Sequence, residues 1–149
     1  VKPVTPILAA DGFVRDADGR VLLIKRKNPP DQGSWALPGG FVDVGEDPRD
    51  ACEREMREET GLVVEVERVA GFYGRPDRDP RGHTASITYA CRIVSGEAKG
   101  GDDAAEARWF RPDELSETPL AFDHRDVLAE LLEGVAYRRS RQSKVDSRQ

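Results

Sequence analysis

Gly39 to Leu62 reads GGFVDVGEDPRDACEREMREETGL, a glycine-rich turn that runs straight into an acidic helix. The helix is predicted over 48–60. Pro48 suits a first helical position, Asp47 stands where a cap is needed, and Asp50 adds negative charge to the first turn. Gly61 supplies the left-handed stop. Ala51, Cys52 and Met56 give the helix an apolar flank for a sheet, which puts its carboxylates at the edge of the core. Of its acids, Glu55, Glu58 and Glu59 stand at i, i+3 and i+4 and share one face. Like charges so placed repel by roughly a few tenths of a kcal/mol per pair. Solubility does not call for that arrangement. A hard divalent cation does, because Mg²⁺ takes carboxylate oxygens and is often shared with substrate phosphates.

Outward from this segment the chain alternates strand and turn signals. Strands are expected over 4–11, 21–27, 41–44, 62–73, 84–94 and 105–110, with Pro6 marking the first as an edge strand. Asn28 to Gly33, Gly74 to His83 and Gly96 to Ala104 read as loops, and Pro112 to Leu115 as one helical turn. A last helix is expected from an Asp123 cap to about residue 138, with Val127, Leu128, Leu131, Leu132 and Val135 as its buried stripe. Ser140 to Gln149 is polar and reads as a disordered tail after a single domain over 1–139. Strands on either side of the acidic helix, with a closing helix, fit an α/β fold with a mixed sheet between helices.

The formal net charge is −5, which argues against a nonspecific nucleic-acid binder and leaves nucleotide substrates open. No apolar run approaches a membrane span and no charged-then-apolar leader stands at the start, so a cytoplasmic protein is expected. Cys52 and Cys91 read as buried free thiols rather than a disulfide.

The spacing carries more than charge. Gly40, five residues, Glu46, seven residues, Arg54-Glu55, an apolar Met56, one residue, Glu58-Glu59, one residue, Gly61 and an apolar Leu62 together resemble the Nudix box without a gap. The resemblance continues through Trp35-Ala36-Leu37-Pro38-Gly39. It implies a Nudix-type α/β/α sandwich with a mixed β-sheet. It also implies metal-dependent hydrolysis of a pyrophosphate that joins a nucleoside to another group, with Mg²⁺ or Mn²⁺ as cofactor. Carried over by position, Glu58 and Glu59 are the main metal ligands, and Glu55 is a third ligand or the base acting on the attacking water. The Gly39 carbonyl completes the metal site, Arg54 orients the acids, and Glu46 supports them. The box does not assign the catalytic base. The loop candidate is Glu106, with Asp102 and Asp103 behind it; the alternative is a solvated loop acid.

Substrate choice lies outside the box. Arg75-Pro76-Asp77-Arg78-Asp79-Pro80-Arg81-Gly82-His83 and the later Ala121-Phe122-Asp123-His124 resemble the ADP-ribose pyrophosphatase branch. That implies ADP-ribose as substrate and AMP with ribose 5-phosphate as products. Arg78 and Arg81 are candidate clamps for phosphate or ribose oxygens. The alternative is a loop folded on itself through ion pairs, with Asp79 and Pro80 structural and at most one arginine on the substrate. Lys25 and Arg26, at the end of a strand, are further phosphate candidates. Phe13, Trp35, Phe72 and Tyr73 are candidate base-stacking residues, Trp35 suiting the packing beneath Pro38-Gly39-Gly40 better. His83 and His124 are too isolated for a zinc site. Alternative readings are hydrolysis of a nucleoside triphosphate or other dinucleotide, and a non-catalytic ADP-ribose sensor. The family resemblance also implies a homodimer, with the first strand as its contact.

Overall fold

Residues 2–99 and 104–134 are described in the computed structural model. Among these described residues, seven strands form two sheets. They are β1 (Ile7–Phe13), β2 (Val21–Arg26), β3 (Trp35–Ala36), β4 (Gly39–Phe41), β5 (Val63–Tyr73), β6 (Thr84–Ser95) and β7 (Ala104–Phe110). Helix α1 spans Pro48–Thr60, a 3-10 helix Pro112–Glu117, and α2 His124–Glu133. One sheet runs β4-β1-β6-β5 and is mixed: β1 and β6 are parallel, while the other pairs are antiparallel. The second runs β3-β2-β7 and is antiparallel.

Strand alternation divides the core in two. Ala10, Val14 and Leu22 pack with Ala51, Cys52 and Met56 of α1. Phe13, Val21 and Leu23 pack instead with Trp35, Leu37, Phe110 and the Val127, Leu128 and Leu131 stripe of α2. The helices therefore cover opposite faces, as the sandwich expectation requires. Cys52 and Cys91 are buried and free, their sulfurs 3.8 Å apart. Among the described residues no helix is long and apolar enough to cross a membrane.

α1 begins and ends where its local signals put it. The Asp47 carboxylate accepts from the Arg49 N–H, and Gly61 closes the helix at φ 77°. Three other expectations need correction. β1 is flanked by β4 and β6, so Pro6 precedes an interior strand, and β1 offers no free edge for a dimer contact. Glu106 lies on β7 rather than in a loop. Asp123 precedes α2 but makes no capping hydrogen bond, because its carboxylate holds Arg78. Asp102, Asp103, Val135, the stretch to residue 138 and the polar tail lie outside the described residues.

Candidate active site

The turn at Gly39-Gly40 and the acidic face of α1 meet because β4 pairs with β1, and α1 packs against both strands. Gly39 lies opposite Asp11, and its N–H donates to Glu59 Oε2 at 3.1 Å. A Cβ at Gly40 would come within 2.6 Å of the Glu55 carboxylate. Glycine is required there by close approach, not by an unusual backbone angle.

Arg54 organises the acids. Its Nε and Nη2 donate to the two oxygens of Glu46 at 2.8 and 3.0 Å. Its Nη1 donates to Glu55 Oε1 at 2.9 Å and to Glu58 Oε2 at 3.3 Å. The Arg54 guanidinium, with help from the Asp43 N–H, pulls the Glu46 carboxyl down to about 2. The same hydrogen bonds raise Arg54 itself. Repulsion within the acidic face is thus offset by one central cation.

A cleft of about 380 Å³ opens beside this cluster. Its lining includes Gly39, Glu55 and Glu59 and also Arg26, Arg81 and Phe122. Glu58 sits on the same helix face, with its side chain 41% exposed. In this arrangement no three His, Cys, Asp or Glu side chains among the described residues converge on one point. Arg54 holds Glu55 and Glu58, while the Gly39 N–H holds Glu59. The donor set is nonetheless all oxygen, and the missing side chain at Gly40 lets the Glu55 carboxylate pack against the backbone there. Such a set suits a hard divalent cation.

Part of the cleft lining is cationic and aromatic. Trp35 pairs with the segment at 119–121 through Trp35 N–H to Pro119 O and Ala121 N–H to Trp35 O, both 2.8 Å. That contact brings Phe122 and His124 to the cleft. Phe122 has φ 53°, in the left-handed region that aromatic residues seldom adopt. Its N–H donates to Asp31 at 2.9 Å. The Arg26 and Arg81 guanidinium carbons lie 4.8 and 5.3 Å from the Phe122 ring, and Arg81 lies 5.1 Å from Phe41. Burial, and then the nearby Arg81 charge, lower Arg26 from its ordinary value. Two cations facing one small space favour an anion between them.

Other expected residues fall elsewhere. Arg78 reaches the cleft wall, but its donors are committed. Nε and Nη2 hold Asp123 at 3.0 and 2.9 Å, and Nη1 reaches Ser86 Oγ at 2.7 Å and the Thr84 carbonyl at 3.5 Å. It braces the wall and is not the free clamp expected. Arg81 pairs with Asp79 at 2.8 Å and keeps its outer side toward the cleft, in keeping with the self-paired loop. Lys25 and Glu106 face each other at 3.8 Å outside the cleft lining, because strand alternation turns Lys25 away from the side that Ile24 and Arg26 share. Phe13 and Trp35 belong to the core, and Phe72 and Tyr73 do not line the cleft. The cleft aromatics are Phe41 and Phe122; the signal was Phe41 beside Gly40 and Phe122 beside Asp123-His124.

Two buried groups remain: Asp11, which escaped the sequence reading of the site, and His124, which that reading named only within the 121–124 motif and as too isolated for zinc. Asp11 is 8% exposed and lines the cleft. Burial pushes its carboxyl up to about 7, against the pull of Arg78, with Asp123 and Glu55 adding to the rise. His124 Nδ1 accepts from the Leu37 N–H at 3.1 Å. Burial lowers it to about 4, so the ring is neutral.

Comparison with known proteins agrees with this geometry. The Nudix domain model matches residues 5–131. A Methanocaldococcus jannaschii protein named ADP-ribose pyrophosphatase is 48% identical over 128 residues, 85% of this chain and 73% of that one. The Nudix domain of Shewanella oneidensis NrtR, solved with ADP-ribose, is 27% identical with a TM-score of 0.76, over 87% of this chain and 88% of that one. A Francisella tularensis bifunctional NMN adenylyltransferase/ADP-ribose pyrophosphatase, solved with AMP and a manganese ion, is 28% identical with a TM-score of 0.76. It is covered over 42% of its length by 87% of this chain. An unbroken box, a matching fold and a family match over most of the chain make this protein a member of the Nudix domain family and a Nudix hydrolase.

Proposed function

We propose that this protein hydrolyses ADP-ribose to AMP and ribose 5-phosphate in a reaction that depends on Mg²⁺ or Mn²⁺. The observation that carries the reading is one cleft lined both by the oxygen donors Glu55, Glu59 and Gly39 and by the Arg26–Phe122–Arg81 group. A pyrophosphate with an aromatic base matches that combination of charge and ring. The 48% identity to the M. jannaschii protein supports the choice of substrate.

Glu55, Glu58, Glu59 and the Gly39 carbonyl would hold the cation. When bound, it offsets charge on phosphoryl oxygens and acidifies water. The rest falls to the chain's own side chains. Arg54 keeps Glu55 and Glu58 on one face of α1. Arg26 and Arg81 bind phosphate oxygens. Glu55, packed against Gly40 of β4, serves as the third oxygen ligand or as the base that takes the proton of the attacking water. Glu106 faces Lys25 and is not among the residues lining the cleft, which favours Glu55 as that base. A homodimer belongs to the same reading, and sedimentation at several concentrations tests it.

Product analysis decides the substrate. AMP and ribose 5-phosphate from ADP-ribose, abolished by chelator, are expected. Pyrophosphate release from nucleoside triphosphates with ADP-ribose inert would overturn the reading, and tight ADP-ribose binding without turnover would make the domain a sensor.

A further inference from the structure

We propose that Asp11 is a specificity residue whose carboxylate receives the vicinal hydroxyls of a pentose in the substrate and so selects ribose over 2-deoxyribose. The inference rests on the reading above that a ribose-bearing pyrophosphate fills the cleft.

Asp11 stands in the middle of β1, between Ala10 and Gly12, in a strand otherwise built from apolar residues and glycine. An acid there loses its water, and burying it is unfavourable unless a partner replaces that water. No such partner is present: among the described residues none donates a hydrogen bond to its carboxylate. Two neighbouring donors are engaged elsewhere, and a third, the buried Thr88 hydroxyl opposite Asp11 in the β1–β6 register, has no partner of its own among the described residues either. The Gly39 N–H goes to Glu59, and the Arg78 guanidinium goes to Asp123, Ser86 and Thr84. Packing does not seal Asp11 off either, since it lines the cleft between the Gly39 turn and the Arg78 wall. A buried polar group left without a partner in a binding cleft points to a ligand that supplies one.

The chemistry of that ligand follows from the surroundings. The charges felt at Asp11 are the Arg78 cation and the Asp123 and Glu55 anions, and Arg78 and Asp123 are already paired. A second anion is disfavoured there. A neutral donor fits, and two adjacent hydroxyls match the two oxygens of one carboxylate. ADP-ribose carries such a pair on its adenosine ribose and another on its terminal ribose. Both offer the same chemistry, and the experiment separates them.

The test compares kcat/KM for ADP-ribose and for two analogues, one 2-deoxy in the adenosine ribose and one 2-deoxy in the terminal ribose. The proteins are wild type, Asp11→Asn and Asp11→Ala. A hydrogen bond to a charged group is worth about ten- to a hundredfold. Wild type is expected to disfavour one analogue by about that factor, and Asp11→Ala to close that gap while leaving discrimination against the other unchanged. The affected analogue identifies the ribose. Equal use of all three substrates by wild type, or a gap that survives Asp11→Ala in a protein with native circular dichroism, would overturn the proposal. Calorimetry on wild type adds a readout free of turnover: AMP against 2′-deoxy-AMP, and ribose 5-phosphate against 2-deoxyribose 5-phosphate. Preference for the ribo form in one pair, lost in Asp11→Asn or Asp11→Ala, supports it, and no preference in either pair sinks it. If ADP-ribose is inert as a substrate, the proposed function fails, and this binding comparison still decides the role of Asp11.

Discussion

At Gly40 one methyl group is enough to disturb the chemistry. Its Cβ would meet the Glu55 carboxylate at 2.6 Å. Gly40→Ala is therefore expected to lower kcat by about tenfold or more, as a change of about 1.4 kcal/mol in the barrier does. Circular dichroism should stay native, because Glu55 can turn toward solvent. Unchanged kcat would show that Glu55 need not sit against the turn. Arg81 belongs to the same scale. Its guanidinium is half exposed and faces Phe41 and Phe122. Arg81→Ala should cost about ten- to a hundredfold in kcat/KM for ADP-ribose, the worth of one charged hydrogen bond. The dependence on divalent cation should be unaltered, since the oxygen donors lie on α1 and the Gly39 turn; a shifted metal requirement would contradict that division.

The element that matters most is α1, and its ends are set locally. Gly61 has φ 77°, and its N–H bonds to the Arg57 carbonyl. A side chain disfavours that backbone by about 1–2 kcal/mol, and the nearest contact of an added Cβ would be the Glu97 carbonyl at 3.1 Å. Gly61→Ala is expected to lower unfolding stability by about that amount in urea titration, with kcat nearly preserved because the acidic face is not displaced. α2 behaves differently. Its flanking acid, Asp123, turns from the helix N-terminus to Arg78 across 45 residues of sequence. Cap, stop and apolar stripe can be read from neighbours in the chain, but a choice between a cap and a distant guanidinium cannot.

For the whole molecule, the Arg78–Asp123 pair ties the loop before β6 to the start of α2. Both side chains are largely buried, at 4% and 12% exposure. Removing one partner of such a pair leaves a buried charge uncompensated, at about 3–5 kcal/mol. Asp123→Ala should therefore lower the urea midpoint far more than Arg81→Ala does; equal midpoints would show the pair to be dispensable. His124 adds a pH dependence. Burial holds the folded ring near 4, whereas an unfolded histidine titrates near 6.5. Asp123 and Asp79 pull it up, while Arg78 and Arg26 push it down. Between those values the unfolded chain binds a proton that the folded chain does not. Stability present above about 6.5 is thus lost as pH falls toward about 4, by up to about 3 kcal/mol. Asp11, held near 7 when folded against 3.8 unfolded, gives an opposing slope over the same range, so the check is a difference. His124→Gln should gain melting temperature relative to wild type as pH falls from about 6.5 to about 4, and a constant difference would place the acid sensitivity elsewhere.

The box helix, its boundaries, the acids and the central arginine were legible in the sequence because each depends on spacing within about two turns of helix or on a single backbone angle. Glu55, Glu58 and Glu59 share a face wherever that helix forms. What lines the rest of the cleft was not legible, because it depends on strand pairing. The β2–β7 register turned Lys25 and Glu106 toward each other and away from the cleft. The flanking of β1 by β4 and β6 buried Asp11 beside the Gly39 turn. The contact of Trp35 with 119–121 brought Phe122 to Arg26 and Arg81, and the fold of the Arg78 loop onto α2 spent one of the two arginines read as clamps. A motif carries its own geometry along the chain, but a partner more than a few residues away is chosen only when the sheets assemble and burial forces each charge to find an opposite.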